Sequence, residues 1–442
     1  MEQAISHPPA VSLGEATRVF AKIGLLSFGG PAGQIALMHR VLVDEKQWLD
    51  EKRFLHALNY CMLLPGPEAM QLATYSGWLM HGVRGGLIAG ILFLLPGALV
   101  ITTLSAIYLH YGHVPVVQGL LFGLKAAVLA VVLEALIKVA RRALKSRVDV
   151  GLAIAAFVAI ALLKLPFPLI VVAAAVFGAL WTRFGASNPG SAHGAAEMPI
   201  IVPEWGRPRA SRFFGSLAVW LAIWFVPLVV LIAHFGQEHV LVAEAVFFSK
   251  MATVTFGGAY AVLAYVAQQA VEFYGWLRSD EMLTGLGLAE TTPGPLILVL
   301  VYVGFLGGAR LSGFDPLLGG LAGAALTLWF TFVPCFLWIF VGAPYVETIR
   351  TIRWLAGALA AVTAAIVGII ANLAVWFGLH VLFGKVGEAA FGALVLPVPD
   401  VSTIDWAACG IALAAAVALL QFKANMIVVL AIAALIGAVL AG

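Results

Sequence analysis

Apolar residues along this chain come in runs of about 20, the length that carries a helix through the hydrocarbon layer of a bilayer. Six such runs come first, over 16–38, 54–80, 86–109, 114–137, 148–164 and 166–182. A more polar stretch follows, and then seven more runs, over 213–234, 240–268, 282–308, 317–343, 354–379, 403–422 and 424–441. The pattern predicts an all-α polytopic membrane protein with about 13 transmembrane helices. The interruption, residues 185–212, is rich in Gly, Pro, Ala and Ser and reads as a flexible cytoplasmic linker. It divides the chain into a first unit over 1–184, the linker, a single span over 213–236 and a second unit over 237–442.

Polar positions between the runs set an orientation, because Lys and Arg collect on the cytoplasmic side. With the N-terminus inside, Arg141, Arg142, Lys145 and Arg147 fall inside, as do Arg183, Arg207, Arg209, Arg212, Arg350, Arg353 and Lys423. The loop near 235–239 falls outside and has no Lys or Arg, and the C-terminus is expected outside. One loop disagrees. Residues 39–53 would be external, yet they hold Arg40, Lys46, Lys52 and Arg53. That loop is read as an amphipathic helix lying in the interface, with Trp48 at headgroup level.

Composition removes the soluble alternative. The chain is 62% hydrophobic and 11% charged, where a soluble domain carries about 25% charged residues. Cys61, Cys335 and Cys409 all lie in apolar stretches without metal-ligand spacing, so they read as small core residues. The sequence points to no cofactor and no metal.

The runs also repeat. Phe20 to Pro67 and Phe248 to Pro295 align without a gap, 228 residues apart, and 14 of the 48 positions are identical. The identities include Lys22/Lys250, Phe28-Gly29-Gly30/Phe256-Gly257-Gly258 and Pro65-Gly66-Pro67/Pro293-Gly294-Pro295. Counted in predicted spans, the copies start an odd number of crossings apart and so enter the membrane in opposite directions. An inverted-topology repeat with helices broken by Gly and Pro is the sequence sign of a secondary transporter, its site lying between the halves.

At the breaks, Pro removes helix hydrogen bonds and frees backbone N–H groups. Irregular backbone at membrane depth must line a cavity or be buried in protein. The helix restarting at Glu68 points its positive end into the gap, a ready anion site. Simple kinking and packing is the bland alternative. Ionisable residues within the runs are costly and therefore informative. Lys22, Lys250 and Lys125 are the cations; Glu68, Glu290, Glu134 and Glu244 are the acids. A symmetric lysine pair near two helix N-termini suits a dianion, with snorkelling to an interface as the alternative. Glu68 and Glu290 are candidates for proton coupling or gating, together with Lys125, or for hydrogen bonding to broken backbone. Glu134 stands four residues before Lys138 and reads as its ion-pair partner.

The strings FGGPAGQIALMHR, LPGPEAMQLATYSGWLMHG and GGLIAGILFLLPG resemble the chromate ion transporter family, in its long, two-domain form. The second half departs from the motif: Ala259-Tyr260 follows its Phe-Gly-Gly where Pro31 stands in the first, and no Glu follows its Pro-Gly-Pro. The resemblance implies export of chromate from the bacterial cytoplasm across the inner membrane, giving resistance, with sulfate as the tetrahedral look-alike. Expected partners are chromate, the lipid bilayer and a second copy in a homodimer, with no nucleic acid. An inward sulfate or other oxyanion carrier and an anion channel remain as alternatives. A reductase would need a flavin, haem or nicotinamide site, and no G-x-G-x-x-G after a strand and no C-x-x-C-H is present; nor is there a G-x-x-x-x-G-K-[ST] for ATP.

Overall fold

The computed structural model describes residues 11–184, 208–256, 259–346, 352–392 and 394–441. Gly257, Gly258, Arg350 and the linker residues 185–207, Arg207 among them, lie outside the described residues.

Helix α1 (Leu13–Leu26) starts on Ser12, whose hydroxyl accepts from the Glu15 amide. It stops at Ser27, whose hydroxyl donates back to the Ile23 carbonyl at 2.6 Å. Ser27 sits at φ −77°, ψ 70°, an inverse γ-turn closed by Phe28 N–H to the Leu26 carbonyl at 2.9 Å. Gly29 (φ 86°) and Gly30 (φ 70°) then hold two successive left-handed conformations, which glycine adopts without strain. The chain folds back as α2 (Gly30–His39) and a turn of π-helix (Arg40–Glu45). Lys46 reaches Glu15 at 2.9 Å, so the two ends of the segment meet. The expected span 16–38 is therefore a helical hairpin with Phe-Gly-Gly at its tip.

The expected span 54–80 is a second hairpin. Helix α3 (Glu51–Cys61), capped by Asp50, runs to Pro65-Gly66-Pro67, and α4 (Glu68–Tyr111) starts directly after it. Tyr60 and Tyr75, on opposite arms, have ring centroids 5.4 Å apart. Helix α4 itself reverses at His81 and Gly82 (φ 59°, ψ −149°). Its limbs 68–80 and 83–111 pack antiparallel so closely that a Cβ on Gly77 would strike the Gly85 carbonyl, and one on Gly90 would strike Thr74. The Gly86-x-x-x-Gly90 spacing serves this approach.

After α5 (Pro115–Ala143), α6 (Arg147–Ala161), α7 (Phe167–Phe184) and α8 (Ala210–Phe235), the order returns. Helix α9 (Val240–Val254) leads to α10 (Ala259–Ala267) and a π turn (Gln268–Phe273), 228 residues after the first π turn. Helix α11 (Ser279–Glu290) and α12 (Val299–Leu311) fold back around Pro293-Gly294-Pro295, with Gly285 against Tyr302. Then come α13 (Pro316–Gly342), α14 (Arg353–Leu382), α15 (Trp406–Leu420) and α16 (Met426–Ala441). Across the halves, α5 packs on α15 and α16 while α14 packs on α6 and α7. Gly119 meets Gly437 in the first pairing and Gly357 meets Gly178 in the second, each too close for a Cβ.

Limb 83–111 relates the two sets of hairpins. It begins at Gly85, against Gly77 of the first set, and near its end the Tyr108 hydroxyl donates to Glu281 of the second at 3.2 Å. A helix of that length spans about 40 Å, so the two sets have their bases at opposite ends of it.

Six of the described helices are long and apolar enough to cross a membrane, and three shorter apolar ones accompany them. The Gly and Pro breaks expected in the first two runs of each half are present, and there the chain folds back where the count of 13 took each run as one crossing. The sequence expectation also misses a β-hairpin, β1 (Val386–Phe391) and β2 (Leu394–Pro399), antiparallel and turning at Gly392 (φ 65°). This hairpin docks on the end of α6 through Val395 N–H to the Leu162 carbonyl at 3.0 Å.

Candidate functional site

The four hairpin tips meet pairwise across the halves. The Gly66 amide donates to the Thr255 carbonyl at 2.7 Å, and the Gly294 amide donates to the Ser27 carbonyl at 2.7 Å. Thr255 and Ser27 are repeat equivalents, as are Gly66 and Gly294, so the two bonds are related by the internal symmetry. Thr255 repeats the other details too: its hydroxyl donates to Met251 at 2.6 Å and Phe256 N–H turns back to Val254 at 3.1 Å. Each Pro-Gly-Pro tip is thereby fastened to the end of the other half's first helix, α9 or α1. Gly66 (φ 122°) and Gly294 (φ 88°) are both buried and left-handed, conformations that favour glycine.

Two glutamines tighten this junction. Gln34 Nε2 donates to the Gly294 carbonyl at 2.6 Å, and Gln71 Nε2 donates to the Pro65 carbonyl at 2.8 Å. Both side chains are fully buried, and among the described residues neither Oε1 has a hydrogen-bond partner. Sequence alone does not single out either. Their one available signal was a polar residue three or four positions beyond a break.

The expected site residues divide by environment. Phe28 and Phe256 are part-buried, beside the junction, and Gly29, exposed, and Gly30, part-buried, form the tip of the first hairpin. Gly257 and Gly258 lie outside the described residues. Pro65 is part-buried and Pro67 buried, as the cap of α4; Pro293 and Pro295 are both buried. The amides of Gly66 and Gly294 are used within the protein. The donors left for a ligand at the first break are therefore those of the first turn of α4, from Glu68 onward.

Lys22 and Lys250 are both exposed, at equivalent positions on α1 and α9. Neither has an ion pair among the described residues. Lys125 is part-buried on α5, within electrostatic reach of Asp280, Arg278 and Glu281. Glu68 is part-buried at the start of α4, within reach of Arg142. Glu290 is 5% exposed, takes a 2.5 Å hydrogen bond from the Tyr260 hydroxyl, and faces Glu134 and Lys138 of α5. Glu134 pairs with Lys138 at 2.6 Å, as its spacing predicted. Met62, the repeat equivalent of Glu290, is touched by Arg142 Nη2 at 3.2 Å. The last turns of α5 thus bring Lys138 and Arg142 beside the breaks of both halves. Sequence reads Lys138 only as the partner of Glu134 and Arg142 only as part of a basic cytoplasmic loop, because nothing local reveals that α5 leans over the breaks.

A second charged cluster occupies the opposite end of α5. Glu281, 1% exposed, receives Arg310 in a two-pronged pair, Nη1 to Oε2 at 2.7 Å and Nη2 to Oε1 at 2.6 Å. The Arg278 amide at 2.9 Å, the Tyr108 hydroxyl at 3.2 Å and the Arg278 guanidinium at 3.4 Å stand around it as well. This pair spans the α11/α12 hairpin at its base and ties it to α4 of the other half.

A family model described as "Chromate transporter" matches the chain over residues 14–179 and 242–438, the two stretches that carry the repeated elements. A probable chromate transport protein of Synechococcus elongatus is 28% identical over 388 residues, 84% of this chain and 86% of the relative. The chromate transport protein of Pseudomonas aeruginosa is 29% identical over 366 residues, 82% and 80% of the two chains. That of Cupriavidus metallidurans is 25% identical over 368 residues, 83% of each. No solved structure matches the chain.

Proposed function

Because the chain belongs to the chromate transporter family, we propose that it exports chromate from the bacterial cytoplasm through the junction of the four hairpin tips. The observation that carries this reading is the reciprocal pair of hydrogen bonds, Gly66 to Thr255 and Gly294 to Ser27, which fastens each Pro-Gly-Pro break to the other half. A tetrahedral dianion there would meet the first-turn amides of α4, Arg142 and Lys138 from α5, and Lys22 and Lys250 from the flanking helices. Together these offer charge and directed donors to replace its hydration shell.

The orientation we propose places the bases of the first two hairpins in the cytoplasm. Residues 39–53 then fall inside with the other basic loops, and the one loop that opposed the charge rule agrees with it. Helices 83–111, α5, α6, α7 and α8 would cross between the two sets of hairpins, an odd number, so the halves would be inverted. The N-terminus would lie inside and the C-terminus outside.

Energetics favour export over import. A dianion leaving a negative cytoplasm gains about 4.6 kcal/mol per 100 mV, twice the 2.3 for one charge. At about 1.4 kcal/mol per tenfold, 100 mV sustains an outward gradient above a thousandfold without ATP. Glu68 and Glu290, beside the breaks, are the groups through which protons would couple if the potential alone does not drive transport. Cells preloaded with chromate and then de-energised with an uncoupler test the reading. Efflux should require the protein and the potential, and should slow with cytoplasmic sulfate. Efflux equal in cells with and without the protein would end the proposal.

A further inference from the structure

The internal symmetry is broken in one respect. Helices α5 and α14 are repeat equivalents, and both pack against the second half's hairpins: α5 on α11, α14 on α10. The same two helices make no extended packing with α3 and α2, the equivalents of α11 and α10. The side chains record the difference. Leu283 of α11 is 2% exposed, and its equivalent Leu55 on α3 is 45% exposed. Gly287, where a Cβ would lie 2.8 Å from Leu124 of α5, is buried, and its equivalent Asn59 is exposed. Pro293 is buried, and its equivalent Pro65 is only part-buried.

From this asymmetry we infer that the bundle of α5, α6, α7, α14, α15 and α16 has two seats, and that transport swings it from one to the other. In the seat seen here it covers α10 and α11, sealing the second Pro-Gly-Pro break and leaving the first open beside α3. The other seat follows from the repeat: α14 on α3 and α5 on α2, with the first break sealed and the second open at the opposite end. The two seats are near-equivalent in sequence because the halves are copies, so neither needs a new kind of contact. Rigid-body rocking of one bundle against a symmetric partner is the physical form of alternating access. The tips joined through Gly66–Thr255 and Gly294–Ser27 stay together as the pivot.

The register of the second seat can be specified. Gly119 and Gly357 make matching contacts with Gly437 and Gly178. Counting from them, Leu124 corresponds to Val362, so the pair Leu124–Gly287 of this seat has Val362–Asn59 as its counterpart in the other.

Two double-cysteine proteins test this, in a background with Cys61, Cys335 and Cys409 changed to Ser. Leu124→Cys/Gly287→Cys should cross-link under mild oxidant and hold the first seat. Val362→Cys/Asn59→Cys should also cross-link, faster while chromate is being transported, and hold the second. Each lock should stop transport, and reductant should restore it. A membrane-impermeant maleimide gives an independent readout on single mutants: Asn59→Cys should react in the first lock and be protected in the second. A Val362/Asn59 pair that never cross-links, with Asn59→Cys equally reactive throughout, would overturn the inference. The inference rests on the transport reading, and the two fail separately. Two seats without chromate movement would leave the motion standing and remove the substrate.

Discussion

The Gly66 amide donates a 2.7 Å hydrogen bond to the Thr255 carbonyl, and the repeat returns the same bond from Gly294 to Ser27. A glycine between two prolines has the only amide available in its tripeptide, since proline has none. That single donor is directed across the molecule to the place where the other half's first helix ends in a γ-turn. The bond therefore accounts for both duplicated motifs at once: Pro-Gly-Pro supplies a lone donor, and the helix end just before Phe-Gly-Gly frees an acceptor. It also ties each helix break to the other half of the molecule.

Gly66→Val is expected to abolish transport. Its left-handed backbone (φ 122°) is strained for valine, and a Cβ would lie 2.7 Å from Cys335 Sγ and 2.9 Å from Gln71 Nε2. Gly294→Val should do the same from φ 88°. Chromate affinity by calorimetry on the purified proteins should fall at least tenfold, about 1.4 kcal/mol, with a smaller change in the amount of protein in the membrane. Unchanged affinity would return both motifs to plain structural turns.

Lys22→Gln and Lys250→Gln should each stop efflux while leaving the protein in the membrane, since both lysines are exposed and hold no internal ion pair among the described residues. Resistance to chromate in growing cells is the simplest measure. Full resistance in both mutants would mean that the lysines only snorkel to an interface.

Much of this architecture is legible in the sequence, and the reasons differ from place to place. Long apolar runs with no solvated face give the helical membrane class directly. Identity at a fixed spacing of 228 gives the repeat, down to the two π turns. Hydropathy cannot tell a crossing from a hairpin, because both are apolar for their whole length. The basic loop 39–53 was the one warning that 16–38 turns back, and the Glu15–Lys46 pair is its physical form. Reversal at His81-Gly82 is hidden for the same reason: the glycines that allow it look like helix-packing glycines. Gln34 and Arg142 reach the junction only through tertiary contacts, and a place just beyond a break is the one local mark that Gln34 and Gln71 carry.

Arg310→Ala should destabilise the protein by about 3 kcal/mol, the cost of removing the two-pronged partner of the buried Glu281 carboxylate and leaving only the longer contact with Arg278. The double change Glu281→Met/Arg310→Met should recover much of that loss, because two apolar side chains leave no buried charge behind. Thermal unfolding in detergent reports both. Equal stability of Arg310→Ala and the parent would mean that the pair is solvated in the membrane.

Glu68→Gln should keep chromate binding and lose the pH dependence of transport, if proton movement passes through the carboxylate beside Arg142. Calorimetry and vesicle transport at two pH values separate the effects. Retained pH dependence would move the coupling role to Glu290, whose Tyr260 bond can be removed by Tyr260→Phe as the next variant.

Orientation can be read with thiol labelling from either side of the membrane. Gln47→Cys and Gly236→Cys stand at exposed turns at the two proposed faces. The first should label from the cytoplasm and the second from the periplasm. Labelling of both from one side would contradict the inverted arrangement.

The central claim, that this chain carries chromate outward as a dianion, is tested most directly with purified protein in proteoliposomes under an imposed potassium diffusion potential. Chromate should accumulate in a lumen held positive, and the gradient at equilibrium should rise tenfold for about every 30 mV, the slope for two charges. Accumulation that ignores the potential, or a lumen that fills when it is held negative, would contradict the account.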